Sequence, residues 1–180
     1  MKRSESRRQA AALRQRQIRA KAFKLPPDGS SPRFVADVML GRLAKWLRIA
    51  GFDVLYSNRF ADDELVALSR SEGRILLSRD TRLLVRKAVE HFIFLESEDV
   101  QSQIRQVFET THTTNLVGIL TRCLSCNDLL VETPREQAQE KVPTFVFKTQ
   151  TQFKSCSKCN KIYWAGTHRQ SVLHTLEKLL

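Results

Sequence analysis

Residues 33–80 read RFVADVMLGRLAKWLRIAGFDVLYSNRFADDELVALSRSEGRILLSRD. Three short apolar runs, Phe34–Ala36, Asp53–Tyr56 and Ile75–Leu77, alternate in this stretch with two patterns of helical periodicity. Strands that alternate with helices are typical of βαβ units, which pair their strands in parallel. The stretch therefore predicts an α/β fold with a parallel sheet flanked by helices.

Acidic residues stand beside the predicted strand ends. Asp37 follows the first strand, Asp80 follows the third, and Asp62 and Asp63 begin the second helix. Parallel sheets form their ligand sites at the carboxyl ends of the strands, and carboxylates are the ligands that Mg²⁺ and Mn²⁺ prefer. Such a cation can activate water and neutralise the charge that develops on a phosphodiester. We predict catalytic roles for these four acids, with Asp37 and Asp80 as Mg²⁺ or Mn²⁺ ligands.

The same acids also fit a structural role as helix caps. An aspartate just before a helix accepts a hydrogen bond from an otherwise unpaired backbone N–H group. Asp37 precedes the first predicted helix, Asp62 or Asp63 begins the second, and Asp80 precedes a short helix predicted over 80–89. Capping and metal binding are compatible for one residue, so the spacing alone leaves both interpretations open.

The four cysteines form two CxxC pairs, CLSC at 123–126 and CSKC at 156–159, and none is left over. Two such pairs are typical of a closed tetrahedral site that holds a structural zinc ion. A redox-active pair is the alternative, but neither pair lies in a thioredoxin-like context. The predicted zinc ligands are Cys123, Cys126, Cys156 and Cys159.

Most of the net charge of the chain lies at its N-terminus. The chain carries +11, of which residues 1–24 contribute +8 from nine Lys or Arg and one acid, and residues 25–180 contribute +3 from 21 and 18. A basic segment suits a nucleic-acid backbone, and a solubilising arm is the alternative. We predict that residues 1–32 form a basic, partly helical tail and linker.

Hydrophobic residues make up 42% of the chain, which is enough for a packed core. No apolar run approaches the roughly 18–20 residues that cross a bilayer, and the N-terminus lacks the apolar segment of a signal peptide. We therefore expect a cytoplasmic protein with no membrane partner.

The rest of the chain divides in two. We predict a strand at 91–96 and a helix at 99–111, then short strands and knuckles from residue 115, including a strand at TFVFKT (144–149). An amphipathic helix is predicted over 168–180. The predicted domains after the tail are residues 33–114 and residues 115–180.

Several motifs of this chain together resemble the mut-seven C-terminal RNase family. They read ADVMLGRLAKWLRIAGFDVLY, DDELVALSRSEGRILLSRD, RCLSCNDLL, VPTFVFKT and CSKCNKIYWAGTH. The similarity implies a PIN-like nuclease domain over 33–114, followed by a small β zinc ribbon and a C-terminal helix. It also implies RNA cleavage that depends on a divalent metal. By position, Asp37 and Asp80 match two acids of that family, and either Asp62 or Asp63 matches the middle one.

The leading functional hypothesis is a metal-dependent endoribonuclease whose partner is RNA, with transfer RNA, ribosomal RNA or a ribonucleoprotein as candidates. The alternative is a non-catalytic module that binds RNA or a ribonucleoprotein and uses the acids only as caps. Convergence of the acids on one point would favour the nuclease. A toxin-type nuclease ranks lower, because a minimal toxin needs neither a ribbon nor a basic tail.

Some residues near the acids and in the ribbon are predicted to contact RNA. A solvated helix face is the alternative for the arginines, and core packing is the alternative for the tryptophan. The predicted RNA contacts are Arg42, Arg48, Arg79, Arg82, Trp164 and His168.

Overall fold

The computed structural model describes residues 31–114, 116, 118–166 and 168–180. The predicted basic tail therefore lies almost entirely outside the described residues. Within them, the chain forms a four-stranded parallel sheet with helices on both faces, then a three-stranded antiparallel sheet and a final helix. This architecture confirms the predicted α/β fold.

The parallel sheet contains strands β1 (Arg33–Ala36), β2 (Asp53–Tyr56), β3 (Ile75–Ser78) and β4 (Phe92–Phe94). Its strand order is β2-β1-β3-β4, and all three pairings are parallel. The chain leaves β1 toward β2 and then returns to place β3 on the other side of β1. The carboxyl ends of β1 and β3 therefore flank the point where the strand order reverses, which is where open α/β sheets bind ligands.

Four helices accompany this sheet: α1 (Gly41–Ile49), α2 (Asp62–Glu72), α3 (Thr81–Leu84) and α4 (Val100–Thr110). Alternate residues of β1 point to opposite faces, as a strand requires. Phe34 packs in one buried cluster with side chains of α1 and α4, and Val35 packs in a second cluster with side chains of α2 and α3. Burial on both faces explains why these strands are apolar runs rather than alternating patterns.

The second unit contains strands β5 (Leu130–Thr133), β6 (Phe153–Cys156) and β7 (Ile162–Trp164), paired antiparallel in that order. It also contains helices α5 (Arg135–Ala138) and α6 (Thr144–Thr149), and α7 (His168–Glu177) follows. Among the helices of the described ranges, none is both long and apolar enough to cross a bilayer.

One predicted strand is wrong: TFVFKT at 144–149 forms helix α6. Its β-branched and aromatic residues favour a strand when considered alone. In the helix, Val146 and Phe147 pack against a small cluster that contains Phe153, while Arg135 donates to the Phe147 carbonyl at 2.7 Å. Tertiary packing thus overrides the local preference.

The apolar spacing of MLGRLAKWLRIAG predicts a helix over 39–51, but the α-helix begins later. Val38–Leu40 forms a 3₁₀ turn, α1 begins at Gly41, and Met39 is exposed. A Cβ atom at Gly41 would lie 2.5 Å from the Tyr56 hydroxyl oxygen, so glycine allows the end of β2 to approach this turn closely.

The last helix packs on the parallel sheet. Leu176 of α7 and Leu179 beyond its end are buried in the same cluster as Phe34 and the apolar face of α1. The core around the parallel sheet therefore includes the side chains of Leu176 and Leu179. The predicted domain boundary between residues 114 and 115 stays a prediction.

The two units are joined at the outer edge of β2. Asn127 accepts a hydrogen bond from the Val54 N–H at 2.9 Å and donates to Asp53 Oδ1 at 2.7 Å. Arg48 donates twice to the Val54 carbonyl, at 3.0 and 2.8 Å. The exposed edge that a terminal strand normally presents is therefore capped by side chains.

Asp53 also pairs with the buried Arg74, whose Nη1 lies 2.6 Å from Asp53 Oδ1. Burial opposes ionisation of Asp53, but hydrogen bonds from Arg74 and Asn127 outweigh burial and lower the pKa of this carboxyl below its usual range. The hydrogen bonds at this junction therefore favour the ionised form of the Asp53 carboxyl.

We expect Asn127→Ala to lower the free energy of unfolding by about 1–3 kcal/mol more than Asn160→Ala, because it leaves buried polar groups of β2 unpaired. The two residues are a matched pair: each follows a CxxC motif and has a positive φ, 73° and 56° respectively. Urea unfolding of both variants measures the difference. Equal destabilisation would contradict the proposed role of Asn127 in the junction.

Candidate active site and metal centre

Asp37 lies directly after β1 and is 4% exposed. Its backbone N–H donates to the Leu77 carbonyl of β3 at 3.0 Å, which places it at the junction of the two central strands. The Oδ1 atom accepts a hydrogen bond from the Val38 N–H at 2.6 Å, and Oδ2 accepts one from the Ser78 hydroxyl at 2.5 Å. A buried carboxylate is thus held in one orientation by two donors.

Ser78 connects Asp37 to the second acid of this edge. Its fully buried hydroxyl donates to Asp37 and accepts a hydrogen bond from the Asp80 N–H at 2.9 Å. Asp80 Oδ1 accepts from the Arg82 N–H at 2.7 Å, and no described residue bonds to its Oδ2 atom. The structure therefore brings Asp37 and Asp80 together through Ser78. The sequence pattern did not identify this serine as a site residue, although it ends a strand two residues before one of the predicted acids.

The acids of α2 are not part of this linked pair. Asp62 and Asp63 lie exposed in the first turn of the helix, and Asp63 forms an ion pair with Arg86. The residue at the N-cap is Ala61, so the expectation that Asp62 or Asp63 caps this helix is wrong. Glu64 is a plain first-turn acid whose Oε2 accepts from the Ala61 N–H at 2.8 Å.

The capping interpretation is confirmed for the two linked acids. Asp37 caps the 3₁₀ turn and Asp80 caps α3 through side-chain hydrogen bonds. Asp99 caps α4 in the same way, and hydrogen bonds from Ser102 lower its pKa below the usual range. Capping therefore explains part of the sequence pattern and leaves one oxygen of Asp80 for a ligand.

The predicted RNA-contacting arginines differ in their surroundings. Arg42 and Arg82 are exposed on α1 and α3. Arg79 pairs with Glu98 at 2.8 Å, while its Nε is buried and has no hydrogen-bond partner in the part of the chain that the structure describes.

Arg48 is different because it is 4% exposed, and its hydrogen bonds with the described residues all go to backbone carbonyls. Helical periodicity predicts a polar, solvated face of α1 at this position, but the first cysteine loop covers it. Its guanidinium is not presented to RNA at the surface, so Arg48 has a structural role at the junction.

The four cysteines lie close together in space, and one of them, Cys156, ends β6. Each offers one sulfur, and the four sulfurs lie within 4.8 Å of one another, with Cys123 Sγ and Cys159 Sγ 3.6 Å apart. In the described ranges, this is the one group of three or more His, Cys, Asp or Glu residues close enough to share a metal ion. The acids therefore do not form a ready three-carboxylate cluster.

The two CxxC loops have the same backbone design. The N–H of Asn127 donates to the Cys123 carbonyl at 2.8 Å, and the N–H of Asn160 donates to the Cys156 carbonyl at 2.8 Å. Tight loops of this kind turn both sulfurs of a pair toward one point. Sequence analysis identified the cysteines but not the asparagines that end each loop, although CxxCN occurs twice.

Tyr163 sets the electrostatics of this cluster. Burial opposes ionisation of Cys123, but hydrogen bonds from the Tyr163 hydroxyl and from backbone N–H groups lower the pKa of this thiol to about 6. Burial and the neighbouring thiols raise the pKa of Cys126 to about 12. Metal binding requires deprotonated cysteine, and the lowered pKa of Cys123 favours its thiolate.

The family model described as Mut7-C RNAse domain matches residues 32–176. The chain belongs to the Mut7-C RNAse domain family. Comparison with the curated proteins gave no significant match, and comparison with the solved structures gave none either. The Mut7-C match includes both the linked acids and the four cysteines, and it confirms the resemblance seen in the sequence.

The donor sets of this Mut7-C chain fit two kinds of metal ion. A tetrahedral zinc–sulfur site with bonds of about 2.3 Å has sulfur–sulfur separations of about 3.8 Å, close to the 3.6 Å between Cys123 and Cys159. The linked pair Asp37 and Asp80 offers hard oxygen ligands. Mg²⁺ commonly uses one or two carboxylates and completes its shell with water and substrate phosphate, and this pair offers ligands of that type.

We expect the purified chain to hold one zinc ion and Cys156→Ser to lose it, because a serine hydroxyl does not replace a buried thiolate ligand. Zinc content by elemental analysis, together with a thermal melt, measures both the loss and the expected destabilisation. Ser157→Ala, which changes a side chain inside the same loop, is the matched control and should keep the ion. Full zinc content in Cys156→Ser would contradict the four-cysteine site.

Proposed function

We propose that this chain is a metal-dependent ribonuclease that hydrolyses RNA phosphodiester bonds at the carboxyl edge of its parallel sheet. One observation carries the proposal: Asp37 and Asp80 meet through Ser78 where the strand order reverses, in a chain of an RNase domain family. Ligand sites of open α/β sheets lie at this position.

Asp37 and Asp80 would hold Mg²⁺ or Mn²⁺, which would lower the pKa of a water molecule and offset the charge that develops on the phosphate. Ser78 and the Val38 N–H fix the orientation of Asp37. The Oδ2 atom of Asp80, to which no described residue bonds, is the oxygen that would bind the ion. In the first turn of α2, Asp63 pairs with Arg86, so we assign Asp62 rather than Asp63 to the middle acid of the family pattern.

Three arginines near this edge would bind the RNA backbone. Arg42 and Arg82 are exposed, and Arg79 has a buried Nε–H without a partner among the described side chains. A guanidinium binds phosphate oxygens well because its N–H donors match their geometry. Arg79 lies between Ser78 and Asp80 in the chain, so we assign it to the same edge of the sheet.

The four cysteines would hold a structural zinc ion that stabilises the second unit. A closed four-thiolate site leaves no open coordination position, so we assign this ion no part in hydrolysis. Transfer RNA, ribosomal RNA and ribonucleoproteins remain the candidate partners, and the cytoplasmic location stays a prediction.

We expect Asp37→Asn and Asp80→Asn each to lower RNA cleavage by at least about 10–100-fold, the usual cost of weakening a metal site. Asparagine caps helices about as well as aspartate, so these changes remove the charge and keep the cap. Cleavage of labelled single-stranded and structured RNA with added Mg²⁺ or Mn²⁺ measures the effect, with folding checked by circular dichroism.

The matched control is Asp99→Asn, which changes an aspartate that caps the neighbouring helix α4. It should cleave at the wild-type rate. RNA binding without metal-dependent cleavage in the wild type, unchanged in Asp37→Asn and Asp80→Asn, would overturn the nuclease proposal.

Ser78→Ala should lower cleavage by about tenfold or more, because it releases Asp37 Oδ2 and the Asp80 backbone from their shared partner. Ser69→Ala is the matched control: Ser69 is also buried, and its hydroxyl donates to the Arg74 carbonyl at 2.7 Å, away from the acids. The rates of both variants are compared at saturating metal. If the two lose activity equally, general destabilisation rather than acid placement explains the loss.

The second candidate is a non-catalytic module that binds RNA or a ribonucleoprotein. The observation that favours it is that Asp37 and Asp80 both cap helices, while in the described residues no three acids lie close enough to share a cation. The cleavage experiment separates the two candidates, because the binding module needs no divalent metal at the acidic edge.

A further inference from the structure

Two cavities meet at the ribbon's edge strand β7. One is small, about 180 Å³, and the other is larger, about 630 Å³. They share Leu124, Tyr163 and Trp164 in their walls. The small cavity is below the roughly 300–1,000 Å³ of pockets that enclose a drug-sized ligand, so it suits a fragment such as one base.

The walls of both cavities are strongly basic. No aspartate or glutamate of the described ranges lines either one, whereas each is lined by three cationic residues. The six cationic residues are Arg122, Lys154 and Arg169 in the small cavity and Lys45, Lys141 and Lys161 in the large one.

Most of this charge is uncompensated within the molecule. Arg122 donates to backbone carbonyls and Lys161 donates to Ser125. The other four cationic side chains have no hydrogen bond or ion pair with any described residue. Like charges gathered without counter-charges favour a polyanionic ligand.

Trp164 adds an aromatic platform to this basic surface. Its side chain is 40% exposed at the end of an edge strand. Gly166 lies beside the indole and has no side chain that could cover it. A Cβ atom at Gly166 would already lie 3.4 Å from Trp164 Nε1. Exposed aromatic rings within a cationic groove are the usual means of binding single-stranded nucleic acid, because every unpaired base has a face that can stack.

A cationic path connects these cavities to the acidic edge. Lys45 lies in the wall of the large cavity and on helix α1. Arg42 is three residues earlier on the same helix, and side chains at this spacing are neighbours. The start of α1 follows Asp37 after one 3₁₀ turn, so an RNA strand that lies along α1 would contact both the acids and the ribbon.

We infer that the surface formed by the two cavities between α1 and β7 binds single-stranded RNA. One unpaired base stacks on Trp164. The RNA phosphates contact Lys45, Lys141, Lys154 and Arg169. The inference deepens the proposed function by naming the strandedness of its substrate. Bases inside a duplex are already stacked and present no free face, so double-stranded RNA would not occupy this position.

Tryptophan fluorescence tests this inference in the full zinc-loaded chain. The chain has two tryptophans, Trp46 and Trp164, and Trp46 packs partly buried against the main core. Trp46→Phe leaves Trp164 as the reporter. Oligoadenylate, titrated without added Mg²⁺ or Mn²⁺, should quench its emission because a base stacks on the indole. If oligoadenylate quenches Trp164 but the protein cleaves no RNA, this inference stands and only the nuclease proposal is rejected.

Paired variants test the stacking and the phosphate contacts separately, with binding measured by fluorescence anisotropy of labelled oligoadenylate. Trp164→Ala should weaken binding about tenfold or more, whereas Phe145→Ala, which removes an aromatic ring that is 76% exposed outside both cavities, should not. Lys45→Gln and Lys154→Gln should each reduce by roughly 0.7 the magnitude of the slope of the logarithm of the binding constant against the logarithm of the salt concentration. Lys148→Gln, an exposed ribbon lysine outside the cavities, should leave it unchanged.

Three results would overturn the inference. The first is binding of oligoadenylate without any quenching of Trp164, which would assign the binding to another surface. The second is equal quenching by double-stranded RNA or by inorganic polyphosphate, which has no bases. The third is a Trp164→Ala variant that binds as tightly as Phe145→Ala.

Discussion

The buried guanidinium of Arg48 determines how the two units of this protein fit together. A charge removed from water is costly unless hydrogen bonds satisfy it, and burial lowers the pKa of this guanidinium. Two of its hydrogen bonds reach the Val54 carbonyl of the sheet, and two reach the Leu124 and Ser125 carbonyls of the first cysteine loop, at 2.9 and 3.1 Å. Arg48 is therefore fully satisfied only when the loop sits on the sheet edge. The same contact places Tyr163 and Trp164 beside α1.

Features that depend on local sequence could be predicted. The alternation of apolar runs with helical periodicity identified the parallel sheet, because burial on both faces leaves a continuous apolar strand. The acids after β1 and β3 were expected at the carboxyl edge, since parallel strands end on the same side. The CxxC pairs indicated a four-cysteine cluster because so few other arrangements use that spacing.

Features that depend on distant contacts could not be predicted. Nothing in α1 itself indicates that Arg48 is covered, because the carbonyls that bind it lie more than seventy residues away. TFVFKT forms a helix in which Phe147 packs on the cluster that contains Phe153, a contact that its own sequence does not reveal. The role of Ser78 depends on the Asp37 carboxylate and the Asp80 backbone N–H, which lie in different loops. The pairing of Asp63 with Arg86 depends on a contact between the start of α2 and the segment after α3.

The burial of Leu176 and Leu179 beside Phe34 has a consequence for biosynthesis. A ribosome makes β1 to α4 first, then both cysteine loops, and only then the leucines that complete the core around Phe34. Part of the apolar surface of the parallel sheet therefore stays exposed while the second sheet is translated. The nascent sheet is therefore exposed to chaperones and to aggregation until those leucines are made.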